Sequence, residues 1–307
     1  MESNLSAPQF HNEAAAYAYV EARLWPNGPV CPHCKASGDK IGMLNGQSTR
    51  AGLRKCYGCR KQFTVKIGTI FEDSHAPLRK WLQATYLICS SKKGISTRQL
   101  QRTLGVGMKT AWFMGHRIRH AMNPGTDVGP LGGEGKILEA DEAFIGAKAG
   151  RKLGRPVVDK QAVFALVERD GAVRSRHVAD VRGTTLRVEL ERHASPKSRL
   201  MTDEHHGYTL IGWNFAKHEQ VNHKRMEFAR GDVSTNTVEG YFSILKRGLD
   251  GIYQHVSEAH LHRYLSEFDF RYSNRERLGV NDVSRADIAL KGFAGKRLTY
   301  ETTAAGK

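Results

Sequence analysis

The stretch Ile137-Leu138-Glu139-Ala140-Asp141-Glu142-Ala143-Phe144-Ile145 decides the reading of this chain. Apolar residues at both ends and through the middle make it a β-strand candidate. An acid inside such a strand has to be solvated, paired or metal-bound, because burying a bare carboxylate is strongly unfavourable. Asp141 holds that place. Alternation along a strand sends Glu139 and Asp141 to one face and Glu142 to the other.

Further strands lie downstream. Gln161 to Glu168 is a second candidate, and Asp170-Gly171 makes a hairpin turn into a third, Val173 to Val181. Thr184 to Arg192 then reads as a helix, Arg199 to Asp203 and His218 to Val221 as short strands, and Val238 to Leu249 as a helix with apolar Val238, Phe242 and Leu245. This order predicts an α/β domain rather than a bundle or a sandwich.

Asp203 ends the fourth strand candidate, where a side chain can point into a cleft, and Glu239 lies on the later helix. Lys246 follows Glu239 by seven residues, close to two helical turns, so the two share a face. Acids from a first strand, a fourth strand and a following helix are what a ribonuclease-H-like fold needs to hold two Mg²⁺ (or Mn²⁺) ions about 4 Å apart for in-line phosphoryl displacement. Hard cations take oxygen ligands, which keeps the cysteines out of this role. Asn236 competes with Glu239 for the third position. A neutral amide is the poorer ligand and sits off the lysine's face, so Glu239 is preferred.

Four of the five cysteines form two C-x-x-C pairs, Cys31 with Cys34 and Cys56 with Cys59. Two such knuckles predict a closed tetrahedral Zn²⁺ site, structural because no coordination position stays open. The glycine-rich segment from Cys31 to about Phe71 has too little apolar material for its own core, and zinc supplies the missing folding free energy. His33 lies inside the first knuckle but is expected to be exposed, since four sulfurs already fill the site. Cys89 falls in an apolar run and reads as a plain buried thiol.

A helix from Glu13 to Leu24 precedes the ribbon. From Leu78 to Met122 the pattern is helical, and Gly105-Val106-Gly107 separates a helix starting after Ser96 from one spanning Lys109 to His120. Leu100, Leu104, Val106 and Trp112 are the expected shared core. Arg98, Lys109, Arg117 and Arg119 are expected to face outward toward phosphates, as in a helix-turn-helix. An ordinary helical hairpin with a solvated basic face is the competing reading. Asn123 to Glu134, rich in Gly and Pro, reads as a linker. The expected division is therefore 1–75 for the first helix and ribbon, 76–125 for the helical DNA-binding segment and 126–300 for the catalytic domain.

With 47 Lys and Arg against 31 Asp and Glu, the net charge of +16 calls for a polyanionic partner such as DNA. No basic stretch leading into an apolar one opens the chain, and no run of eighteen apolar residues occurs, so a soluble cytoplasmic protein with no membrane partner is expected.

Several blocks are familiar together. Trp25 through Cys34, Cys56 to Phe63, Lys109-Thr110-Ala111-Trp112, Asp141 to Gly146, Asn236 to Gly248 and Tyr264 to Tyr272 make the chain resemble bacterial insertion-sequence transposases that join an N-terminal zinc ribbon to a DDE domain of the ISXO2-like type. The resemblance implies a ribonuclease-H-like catalytic domain, Mg²⁺ dependence, terminal inverted repeats and target DNA as partners, a homo-oligomer on DNA, and a nucleoid-associated location. It places the first acid at Asp141, the second at Asp203 and the trailing lysine at Lys246, and leaves the third ligand between Asn236 and Glu239. His223 also resembles a recurring family position, alongside the reading of a hydrogen-bonded structural histidine. A zinc-ribbon DNA-binding regulator that no longer cuts, or a nuclease that does not join, are the alternatives.

Overall fold

The computed structural model describes residues 3–125, 128–146, 160–209 and 211–298. Residues 126–127 of the expected linker and residues 299–300 of the expected catalytic domain lie outside these. The chain divides into two compact units: the described residues of Met1–Ser91, Ile95–Met122 and Asn281–Lys307 form one, and those of Lys92–Gly94 and Asn123–Val280 the other. Ribbon and helical segment, expected as separate domains, thus share one unit. The helix Asp282–Lys291, expected in the catalytic domain, belongs to it as well.

In the first unit, helix α1 (Glu13–Leu24) starts at Asn12, whose side chain accepts the Ala15 N–H. The ribbon is a small antiparallel sheet of β1 (Ile41–Met43), β2 (Arg54–Cys56) and β3 (Gln62–Phe63) in that order. Arg54 pairs with Glu21 at 2.6 Å and ties β2 to α1. Glu13 accepts the N–H groups of Leu78 and Arg79, satisfying the start of α2 (Leu78–Ser90), and Asp287 of the last helix takes Arg23 at 2.6 Å. Cys89 is buried in α2, as expected.

Helix α3 (Thr97–Leu104) is capped by the Ser96 hydroxyl and closed by Gly105 at φ 60°, the left-handed conformation that suits glycine. Helix α4 (Met108–Met122) follows after three residues. Leu100, Leu104, Ala111, Met114 and Ile118 are buried, Val106 and Trp112 only partly so. Arg98 and Lys109 are exposed. Arg117 and Arg119 are not: they are 4% and 2% exposed, and the expectation that they face outward is corrected. Arg117 donates to the carbonyls of Ile70, Glu72 and Leu298 and lies over the Phe113 ring at 4.4 Å. Residues distant in sequence cover that helix face, so a guanidinium that looked free is used to satisfy loop carbonyls.

The second unit is built on a five-stranded sheet ordered β6-β5-β4-β7-β8: β4 (Ile137–Ile145), β5 (Gln161–Glu168), β6 (Val173–Val178), β7 (Arg199–Thr202) and β8 (Lys217–Gln220). The first three pair antiparallel, and β7 and β8 add in parallel beside β4. β6 stops three residues short of the expected end. Asp180 turns the chain there, accepting the Arg182 N–H and the Thr185 hydroxyl ahead of α5 (Gly183–His193).

One sheet face carries Ala143, Ile145, Val163 and Val167 against α6 (Asn236–Gly248) and α7 (Glu258–Ser273). The other carries Leu138, Ala140, Phe164 and Leu200 against Leu186 and Leu190 of α5. A short hairpin of β9 (Ala229–Arg230) and β10 (Val233–Ser234) delivers the chain to α6. Leu131, expected in the linker, packs into the second core.

Candidate functional site

The four ribbon cysteines gather at two knuckles. In the first, the Cys31 N–H donates to the Ala36 carbonyl and the Lys35 N–H to the Cys31 carbonyl; in the second, the Cys56 N–H donates to the Lys61 carbonyl. Lys35 and Arg60, each just after the second cysteine of its pair, both take φ 62°. Side chains rarely adopt that conformation, and its recurrence at both knuckles turns the thiols inward. Cys31 and Cys59 sulfurs are 3.7 Å apart, Cys34 and Cys56 sulfurs 3.5 Å, and all four lie within 4.8 Å of one another. Four thiolates at about 2.3 Å around Zn²⁺ sit roughly 3.8 Å apart in a tetrahedron, so the cluster could hold structural zinc. Trp25, Ile41, Phe63 and Ile67 surround it, and His33 is exposed as expected.

The acids of the second unit converge by register. Glu139 of β4 stands opposite Met201 of the parallel strand β7. Two residues further along β4 is Asp141, and Asp203 is the first residue beyond the end of β7. On the same face, Glu139 accepts the N–H groups of Thr237 and Val238 at 2.7 and 3.0 Å and the Thr237 hydroxyl at 2.9 Å, fixing the start of α6. Two residues on in α6 is Glu239, as Asp141 is two residues on in β4.

Burial first, then the charges of Asp203 and Glu239, push the Asp141 carboxyl up to about 6, against the Glu142 N–H and Lys246. Charged groups from two other segments, Asp203 after β7 and Glu239 and Lys246 on α6, therefore bear on Asp141. The acids are more spread than the cysteines: among the described residues it is the thiols whose ligand atoms lie within 4.8 Å. Local hydrogen bonds orient the carboxylates. Asp141 accepts the Glu142 N–H, Asp203 the His205 N–H, and Glu239 the Thr235 hydroxyl. Glu239 and Lys246 are exposed at the same helix face, and Asn236 is exposed at its first turn.

Sequence reasoning passed over two features, the roles of Glu139 and Glu142. Glu139, which alternation puts on the Asp141 face, is fully buried and pairs with Arg169, which also donates to the Asp232 carbonyl and the Ser234 hydroxyl. Glu142 points to the other face, as alternation requires, but burial and then the charges of Asp141 and Asp203 raise it to about 8. His223 bridges Thr235 and Glu239 at 3.2 and 3.4 Å, a hydrogen-bonded histidine at the edge of the site. The one signal available was Glu139-x-Asp141, two acids sharing a strand face.

Residues 130–273 match the family model described as the ISXO2-like transposase domain, and residues 11–62 that of the transposase zinc-ribbon domain. A Halobacterium salinarum protein, described as an uncharacterized protein in transposable element ISH50, is 30% identical over 283 residues, covering 85% of this chain and 91% of its own. The chain belongs to the ISXO2-like transposase family. The transposase-domain match ends at Ser273, the last residue of α7, so it contains the whole sheet, Asp141, Asp203, both third-position candidates and Lys246. The zinc-ribbon match contains all four clustered cysteines. No described helix is long and apolar enough to cross a membrane.

Proposed function

We propose that this ISXO2-like transposase binds the ends of its element, cuts DNA phosphodiesters and joins them to a target. The observation that carries this is placement: Asp141 lies on β4, Asp203 follows the neighbouring parallel strand β7, and Glu239 and Lys246 lie on α6, whose start is bonded to Glu139 of β4. The strand order, with an antiparallel triplet extended by two parallel strands, supports a ribonuclease-H-like catalytic domain. Asp141, Asp203 and Glu239 would hold the divalent ions, with Asn236 the rival to Glu239 in the third place. Divalent ions such as Mg²⁺ or Mn²⁺ held there would supply activation of water or a 3′-hydroxyl and neutralisation of charge on the phosphate.

The residues themselves do the positioning. Asp141 is held by the Glu142 N–H and Asp203 by the His205 N–H, so each presents an oxygen in a fixed direction. Lys246 neutralises a phosphate oxygen at the cut. Exposed Arg98 and Lys109 contact backbone phosphates elsewhere on the DNA. Two copies bridging two inverted repeats, in the cytoplasm, complete the reading.

Incubating the protein with end-repeat DNA, Mg²⁺ and a target plasmid tests it. Wild type yields joined products. Asp141→Asn and Asp203→Asn yield none while binding end DNA as before, and of Glu239→Gln and Asn236→Ala the more damaged names the third ligand. Unchanged joining by Asp141→Asn sinks the assignment.

A further inference from the structure

The loop from β8 to β9 carries two exposed apolar side chains beside the candidate catalytic acids. Phe228 is 54% and Met226 77% exposed. The Phe228 ring packs on His223 at 5.5 Å between centroids, and His223 in turn lies 3.4 Å from Glu239, so one side chain separates the aromatic from the third-position acid.

This loop is braced. The Asn222 side chain accepts the Arg225 N–H, the Glu227 N–H donates to the Asn222 carbonyl, and the Glu204 carboxylate accepts the His223 N–H. Met226 takes φ 61° at the tip. Holding an aromatic ring rigid and half in water gains nothing unless a partner covers it. The surroundings say which partner: Lys224, Arg225 and Arg230 are exposed cations against one acid in the loop, Glu227. Lys224 is 80% exposed and only loosely paired with Glu204 at 3.8 Å. Basic groups interleaved with a fixed aromatic face suit a nucleic-acid strand, phosphates on the cations and a base on the ring.

We propose that Phe228 stacks against an unpaired nucleobase next to the scissile phosphate, with Lys224 and Arg225 holding the adjoining phosphates. The inference rests on the catalytic reading of Asp141, Asp203 and Glu239, and it assigns the strand end that this site grips. Stacking holds the strand end so that the cut phosphate faces the acids, which makes Phe228 a substrate contact and its flanking cations positioning residues.

The test uses the full-length zinc-loaded protein and end-repeat duplexes carrying 2-aminopurine singly at each position flanking the cut, without divalent metal, so no cutting occurs. Wild type changes the emission strongly at one or two adjacent positions. Phe228→Ala removes that change and lowers the cutting rate in Mg²⁺ roughly 5- to 100-fold, the usual effect of losing one stacked base. Phe228→Trp keeps both, and a thermal melt matching wild type shows that the half-exposed truncation leaves the fold alone. Position-independent emission, or Phe228→Ala cutting as fast as wild type, overturns the stacking proposal while leaving the catalytic one standing. A wild-type protein that shows the position-specific emission yet never cuts keeps the stacking contact and removes the enzyme.

Discussion

Glu139 and Thr237 are joined across 98 residues: one Glu139 oxygen accepts the Thr237 backbone N–H at 2.7 Å and the other its hydroxyl at 2.9 Å. This link fixes α6, and hence Glu239 and Lys246, against the strand that carries Asp141. Because Glu139 is fully buried and Arg169 is its ion-pair partner, Glu139→Ala strands a largely covered guanidinium and uncaps a helix. A loss of about 3 kcal/mol in urea unfolding is expected, the lower end for breaking a buried pair. A midpoint equal to wild type would show that the link holds nothing.

Arg117 and Lys109 make a contrasting pair on one helix. Arg117→Ala removes donors from three carbonyls and is expected to destabilise the first unit by about 2 kcal/mol in thermal or urea melts.

Lys109→Ala and Arg98→Ala alter exposed side chains and leave stability within about 0.5 kcal/mol. If they contact phosphates, each reduces the slope of log affinity against log salt by about 1. An unchanged slope in both would remove them from the DNA interface.

Zinc removal should unfold the ribbon selectively. The Cys31, Cys34, Cys56 and Cys59 cluster takes the place of an apolar core, with only Phe63 fully buried beside Cys31 and Cys56. Chelation is expected to open residues 31–63 to limited proteolysis, and Cys56→Ser to do so without a chelator. A protease pattern that ignores both treatments would show that the ribbon folds without metal.

Asp269 gives a signed dependence on pH. It is buried, accepts from the Ser175 N–H and hydroxyl and from the Tyr241 hydroxyl, and burial raises its carboxyl to about 6 from an ordinary 3.8. The folded state therefore binds its proton more tightly than the unfolded one. Its contribution to stability is complete below about pH 4 and is lost as pH rises through 6. Unfolding midpoints measured between pH 4 and 7 should fall less steeply for Asp269→Asn than for wild type, and parallel curves would contradict this.

Much of this molecule was written in local pattern. The bounds of α1, β4 and β5 follow from periodicity and turn residues, because strand and helix repeats are short-range properties. The four cysteines declared a cluster that could hold zinc, since C-x-x-C spacing alone shapes each knuckle. Asp141, Asp203, Glu239 and Lys246 could be named as candidates because chain order along an α/β pattern implies which ends of strands meet.

Tertiary structure decided what depends on coverage by distant segments. Whether Arg117 and Arg119 face water turned on loops and chain ends far from α4 in sequence, and no helical period records those. Grouping ribbon, α2 to α4 and the last helix into one unit turned on ion pairs such as Arg23 with Asp287, 264 residues apart. The role of Glu139 could not be read from the sequence because its partners, Arg169 and the start of α6, come to it only through the folded sheet. A side chain's burial and pairing are sums over whatever packs around it, and sequence lists its neighbours along the chain but not its neighbours in space.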